Sequence, residues 1–400
     1  MLNTADGDRA AVAAPDERGA MRALIVKEFR ELRRDRRTLA MVVGLPLLLL
    51  IIFGYAANFT VATLDTAVVG SGAAQTVDRI DAIPQAKDHL HVVVTDGSLS
   101  GTAARTRAAH LLRDGRAAVA IVPDGDRLRV DIDGSNLFAA QSAKILFSQL
   151  ASQAAAQAQT ASQAQSQTPA AAVPATGRPQ AVPQLTVRVL FNPDLKTSWV
   201  MIPAIIGLIL AFVGMIVTSI GLVRERETGT LEQLAVMPLR PGAVVMGKIV
   251  PYLLLASFDM AVVTLLGMWI FGVPFRGSVL LFAAGALLFL FTVLGLGVLI
   301  SSVSQTTGQA VQMAVMFLLP QILLSGMIFP LDAMAAGVRW IGYLLPLTWF
   351  VKISQGVMVR GAGWGPLWFP LAVLAFMAVV AFGAAVLRLA SSLRPVGARR

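Results

Sequence analysis

Residues 199–252 read WVMIPAIIGLILAFVGMIVTSIGLVRERETGTLEQLAVMPLRPGAVVMGKIVPY. The stretch 199–223 carries no charge and is long enough to cross a bilayer, which takes about 20 apolar residues. A charge cluster follows, Arg224-Glu225-Arg226-Glu227, then a glycine break at Gly229, a short helix and a second apolar run. Near its start lies Gly242-x-x-x-x-Gly247-Lys248, most of a phosphate-binding loop. Such a loop needs backbone N–H groups wrapped around phosphates, a lysine, and a Ser/Thr hydroxyl to hold magnesium. Here Ile249 stands where the hydroxyl belongs, Ala243 to Met246 suit a helix, and a membrane span follows directly. The motif is read as the beginning of that span, so this chain is assigned no ATP site.

Composition agrees with a membrane reading. Of 400 residues, 56% are hydrophobic and 14% charged, with mean hydropathy +0.69, whereas a soluble domain carries about 25% charged residues. Further apolar runs fall at 39–57, 249–271, 279–302, 309–329 and 367–387, which with 199–223 gives six spans. Residues 340–353, short and interrupted by Pro346, read as a re-entrant or interfacial segment, tolerated at that depth only against protein or water. The net charge of +10 sits largely at the ends of spans: before the first run, between the second and third, and in the tail 391–400. That distribution is topology information, and nucleic acid is excluded as a partner. By the positive-inside rule both termini and the 224–248 connection are cytoplasmic. No cleavable signal peptide is expected, because the first run is too long and lacks a small-residue cleavage site. With no cysteine and three scattered histidines, no metal site is expected.

Two segments lie outside the spans. In the cytoplasmic N-terminus 1–38, Met21, Leu24, Ile25, Phe29 and Leu32 share one helical face among basic residues, the pattern of an amphipathic helix lying in the lipid interface. Residues 58–198 form an extracytoplasmic insert. Strands are predicted at 64–70, 117–123, 127–133 and 186–191, with a helix at 102–114, so the insert is a small α/β domain. Residues 148–184, rich in Ala, Gln, Ser, Thr and Pro, read as a low-complexity linker whose first half suits a helix. The fold class is therefore a mostly α-helical integral membrane protein: six transmembrane helices, an interfacial helix and a small α/β extracytoplasmic domain.

The connection 224–241 carries the functional signal. Thr230 and Gln233 make a capping box for a short helix that Pro238 and Pro241 stop. RERETGTLEQLAVMPLRPGAVVMGKIVPY (224–252) closely resembles the corresponding segment of permease subunits of type-2 ATP-binding-cassette exporters. So do FGVPFRGS (271–278), LGLGVLISSVSQTTGQA (294–310), LLSGMIFPLDAM (323–334) and LLPLTWFVKISQGVMVRGAG (344–363), and VDIDGSN and FNPDL within the insert. The likeness covers nearly the whole chain except the first 20 residues and the linker, and fits the subgroup with a large domain between spans 1 and 2. Departures are Gln355-Gly356, where relatives usually carry Arg-Gly, and Ala204 after Pro203.

The resemblance implies a coupling helix that docks on a separate ABC ATPase subunit. ATP and magnesium are then bound by that partner, with no cofactor or catalytic group on this chain. Carried onto this sequence, the contact comprises Arg224, Glu225, Arg226, Glu227, Gly229, Thr230, Leu231, Glu232, Leu234 and Pro238. Glu225, Glu227 and Glu232 serve as charged contacts or internal braces, and Leu231 and Leu234 as apolar anchors. A second permease chain, the same or related, completes the pathway, and a periplasmic adaptor on the outer domain implies a bacterial inner membrane. Asp259 is the single acid in the middle of a span, where charge costs roughly 2.5–3.5 kcal/mol; it calls for a polar partner or water. Two alternatives to an exporter permease stand at this point. An ion-gradient exporter would use Asp259 but predicts more intramembrane charge and inverted repeats; a scaffold for periplasmic partners would transport nothing.

Overall fold

The computed structural model describes residues 63–125, 127–166, 184–229 and 241–392. The interfacial helix, the run 39–57, the Pro-rich part of the linker, residues 230–240 and the tail beyond 392 lie outside the described residues. All those described belong to one compact unit, Tyr55–Arg400.

The insert folds around a five-stranded mixed sheet. In chain order it comprises β1 (Leu64–Val69), α1 (Ala73–Ala82), α2 (Pro84–His89), β2 (Leu90–Asp96), α3 (Gly101–Arg113), β3 (Val119–Asp124), β4 (Arg127–Asp133), α4 (Leu137–Ser166) and β5 (Gln184–Leu190). Spatial order is β2-β1-β3-β4-β5, parallel except for the β3–β4 hairpin. The apolar run of β1 reflects burial on both faces. Leu64 and Val68 pack with Val119, Ile121 and the α4 residues Ala140, Ala143 and Phe147. Ala67 and Val69 face α3, whose Ala104, Ala108, Leu111 and Leu112 recur at helical spacing.

The four predicted strands and the helix at 102–114 are present, with ends shifted by up to two residues. Three elements are absent from the sequence reading: α1, α2 and β2. Helix α1 buries only Ala73, Thr76 and Ile80, too thin an apolar stripe to mark a helix, and β2 is an edge strand with Val93 exposed. The helical first half expected of the linker is present, and its far end is corrected. Residues 148–166 continue α4, and 184 already opens β5.

Among the described residues, five helices are long and apolar enough to cross a membrane: α5 (Thr197–Glu227), α6 (Pro241–Phe271), α7 (Val279–Val303), α8 (Thr307–Leu324) and α11 (Trp364–Ser392). Gly242 and Gly247 both fall inside α6, so the glycine motif is helix and not a phosphate loop. The span expected at 309–329 ends at Leu324, because Ser325 caps it and Gly326 turns at φ +84°. Residues 340–353 divide between α9 (Ala336–Tyr343) and α10 (Pro346–Gln355). Pro346 opens α10 rather than interrupting a helix, as its missing N–H suits the first turn.

Helix α7 is the centre of the bundle: 56% of its apolar window is buried, against 22% for α6. Phe289 on α7 stacks on Phe350 of α10 with ring centres 4.7 Å apart. Small residues let the helices meet. A Cβ on Gly207 of α5 would lie 2.4 Å from the Phe350 ring, and one on Gly297 of α7 would lie 1.8 Å from Thr218 Oγ1 and 2.9 Å from the Met215 carbonyl. Gly297→Ala is therefore expected to destabilise by about 1–3 kcal/mol through overpacking. Gly308→Ala, with nothing within 4 Å, should leave thermal unfolding in detergent unchanged or slightly improved. Equal melting temperatures for the two variants would refute the close α5–α7 contact.

Candidate functional site

The end of α5 carries the described part of the predicted coupling residues. The helix runs on through Arg224, Glu225, Arg226 and Glu227 and stops at Gly229, whose φ of +74° takes the left-handed conformation that closes helices. Thr230, Leu231, Glu232, Leu234 and Pro238 lie outside the described residues.

Two of these charges grip the α7–α8 connection. Arg226 donates from Nη1 to the Ser304 carbonyl and from Nη2 to the Ser302 carbonyl at 3.3 Å. The Glu227 carboxylate accepts from the Thr307 N–H at 2.7 Å and from Thr307 Oγ1 at 2.6 Å. A helix leaves its last carbonyls and first N–H groups without intrahelical partners, negative at one end and positive at the other. The cation thus sits on the C-terminus of α7 and the anion on the N-terminus of α8, each where the helix dipole favours it. Thr306 completes the α8 start by accepting from Gln309 N–H, while Gln309 Oε1 accepts from Gln305 N–H. Glu227 is an internal brace in this arrangement, and Glu225 is half-buried beside it. Thr307, Ser302 and Ser304 are contact partners of these charges that the sequence reading did not assign. Their signal was a Ser/Thr cluster between two spans, inside the stretch 294–310 that carries the family resemblance.

Asp259 is half-buried on α6, whose outer face exposes Leu254, Phe258, Leu265 and Trp269. No hydrogen bond or ion pair to it is found among the described residues, so the structure does not join it to the other candidates.

A second polar region lies where the sheet domain meets the bundle. The two insert motifs touch each other there: Gly134 donates its N–H to the Leu190 carbonyl, and a Cβ at Gly134 would lie 2.8 Å from the Asn192 carbonyl. Asn192, itself buried, in turn closes the loop that follows it, accepting from Lys196 N–H at 2.9 Å and donating to the Lys196 carbonyl at 3.0 Å. Arg276 ties this loop to the bundle by donating to the carbonyls of Phe191 (2.8 Å) and Val359 (2.9 Å). Gln355, at the departure from the family pattern, donates to the Val200 carbonyl of α5 at 3.0 Å.

A π-helical turn, Gly356–Arg360, follows α10 and ends at Gly361 with φ +64°. It carries Arg360 toward the sheet domain, where Nη1 stands 3.8 Å from Asp133 Oδ2. Gly115 leaves no side chain in the way: a Cβ there would lie 2.7 Å from the same nitrogen. Burial pushes the Asp133 carboxyl above the ordinary carboxylate range, while Arg360 and Ser135 pull it back. Arg360, Asp133, Lys352, Tyr343 and Trp349 line a cavity of about 950 Å³ between domain and bundle.

Comparison with known proteins follows the same lines. A family model described as ABC-2 family transporter protein matches residues 36–387. The probable multidrug ABC transporter permease YbhR of Escherichia coli (strain K12) is 36% identical over 195 residues, 48% of this chain and 53% of that protein. Thus the match spans about half the length of that relative. The probable multidrug ABC transporter permease YbhS of the same organism is 28% identical over 365 residues, 85% of this chain and 89% of that protein. The inner membrane transport permease YhhJ, also of Escherichia coli (strain K12), is 33% identical over 207 residues, 51% of this chain and 55% of that protein.

The Asp133–Arg360 pair makes a pH-dependent prediction. A raised carboxyl pKa means that the fold favours the protonated form, so this group's contribution is fullest in acid and falls as pH rises through the folded value. Arg360 offsets that fall. Arg360→Gln should therefore cost on the order of 1–3 kcal/mol at pH 8, and progressively less as the pH is lowered. Adding Asp133→Asn should recover most of the difference at pH 8. Thermal melts of the purified chain across pH test this, and a pH-independent deficit would mean that Asp133 is not the partner.

Proposed function

The chain belongs to the ABC-2 transporter family, and on that premise we propose that it is the membrane-spanning permease subunit of an ATP-driven exporter, moved by a separate ATPase that docks on residues 224–241. A transport permease is a binding and gating machine, not an enzyme, and hydrolysis belongs to the partner. The observation that carries this reading is the pair of charged contacts at the end of α5. Arg226 and Glu227 link the terminus of one span to the ends of two others, so a push on the adjoining segment moves α5, α7 and α8 together. The required behaviour is a bundle with two arrangements whose balance depends on what binds beneath it.

Helix length supports the sidedness. The 31 residues of α5 span about 46 Å, enough to place the sheet domain and residues 224–229 on opposite faces of a bilayer. The basic connection then faces the cytoplasm, and the sheet domain faces outward, where a periplasmic adaptor would find it. Six spans, with 39–57 as the first, form half a pathway, so a second permease chain completes it. A bacterial inner membrane is the proposed location. The ion-gradient alternative rests on Asp259 and predicts that no ATPase accompanies the chain.

Purification of the tagged full chain from its native membrane in mild detergent, followed by mass spectrometry, is expected to bring an ABC ATPase with it. Leu231→Ala with Glu232→Ala should abolish that association, while an unaltered melting temperature shows that the chain is folded. No ATPase with the folded wild-type chain would overturn the proposal and favour Asp259 and an ion gradient.

Glu227→Ala separates bracing from docking. It removes both contacts to Thr307 but leaves the docking surface in place. The ATPase should therefore still co-purify, while transport falls about tenfold, in proportion to the lost coupling. Loss of the ATPase itself would make Glu227 a docking residue.

A further inference from the structure

The cavity between the sheet domain and the bundle, at about 950 Å³, has the volume of a site for a drug-sized molecule. Its charges are sorted by depth. Asp65 and Asp332 stand exposed, whereas Asp114, Arg339, Lys352 and Arg360 are all partly buried. Asp133 is the lining carboxylate that is buried with these cations, and it is already engaged by the Ser135 N–H at 2.8 Å and by Arg360. Arg339 donates to the carbonyls of Asp332 and Met334. The Nε atoms of Arg339 and Arg360, and Oγ of the buried Ser325, have no hydrogen-bond partner among the described residues. Lys352 makes no ion pair among them. Its ammonium stands 4.9 Å from the ring centres of both Tyr343 and Trp349, attracted by Asp332 and repelled by Arg360.

Away from the exposed rim the cavity therefore sets three cations against two carboxylates, Asp133 and Asp114, and holds several donors with no acceptor among the described residues. Beside them stands an aromatic wall in which Trp349 packs edge-on against Phe369 at 5.4 Å. A cationic ligand would compete with Lys352 for the ring faces and meet the two guanidinium groups. We infer that this cavity is a binding site for an oxyanion carried on an apolar body (a phosphate, sulfonate or carboxylate) with Lys352 and Arg360 holding the anion, Ser325 donating to it, and Tyr343, Trp349 and Phe369 covering the apolar part. The ligand is either an exported amphiphile leaving the bundle or the headgroup of an acidic membrane lipid. The site rests on the export reading only for the first of these sources.

Calorimetric titration of the purified full chain in nonionic detergent tests it, with each probe also titrated into detergent alone. The probes are naphthalene sulfonate, dihexanoyl phosphatidylglycerol, naphthyl trimethylammonium and inorganic phosphate. At least one of the two anionic amphiphiles is expected to bind at one site per chain. Lys352→Gln should weaken it by about tenfold or more, the effect of losing a charge-assisted hydrogen bond, and Lys352→Arg should retain most of the affinity. Ser325→Ala, which removes no charge, gives a second and smaller loss should Lys352→Gln fold poorly. Preference for the sulfonate points to soluble cargo, and preference for the phospholipid to a lipid. Inorganic phosphate alone should bind more weakly than either. The inference is overturned if the quaternary ammonium binds as tightly as the anions, if neither anion binds, or if folded Lys352 and Ser325 variants bind like wild type. The titration involves no ATPase, so its failure leaves the export proposal standing, and a failed co-purification leaves this site standing.

Discussion

The close approach of α5 and α7 at Gly297 is the contact on which the other features depend. No side chain separates the helices there, and Thr218 Oγ1 turns to its own backbone, donating to the Gly214 carbonyl at 2.6 Å. A polar side chain in a span is thereby satisfied without a partner helix, which leaves the surface between the helices to packing alone. Because α7 is the most enclosed of the described spans, whatever displaces α5 is felt by the whole bundle. Interiors packed at this density do not deform continuously; they move as units.

Helix α5 is also where both polar regions begin. At its start, the Asn192 loop and Arg276 join it to the sheet domain; at its end, Arg226 and Glu227 join it to α7 and α8. Both junctions use an arginine that donates to two backbone carbonyls. Guanidinium suits that task, since its donors are fixed in a planar fork and its charge is permanent. The consequence is mechanical: α5 is held at each end by directional bonds and along its length by apolar contact. That is the construction expected of an element that carries motion from one side of a membrane to the other.

How much of this was legible in the sequence follows from the range of each signal. An apolar run of 25 residues reports its own burial, so the described spans were placed closely and only their ends moved. The strands around Ala120 and Val130 were legible because burial follows a local pattern. Helix α1 and strand β2 were not, because little of either is covered. The same rule holds at the sites. Gly229 as a helix stop and the charge run before it are local facts. The grip of Glu227 on Thr307 links residues 80 apart, and the reach of Arg360 to Asp133 crosses from the bundle to another domain. Neither leaves a mark in the neighbourhood of its own residues.

By itself, then, the sequence determined what depends on composition and short-range order. That includes a chain that lives in a membrane, the number and place of its described spans, a sheet domain ahead of them, and a glycine motif that is helix and not an ATP site. Tertiary structure alone decided which charges are spent inside the protein and which remain for a partner or ligand. Arg226 and Glu227 are engaged with helix ends, Arg360 with a buried carboxylate, while Lys352 stands against aromatic rings without an ion-pair partner among the described residues. The reason is physical: hydrophobic burial is written residue by residue along the chain, whereas an electrostatic contact exists only once the fold has brought its two halves within a few ångströms.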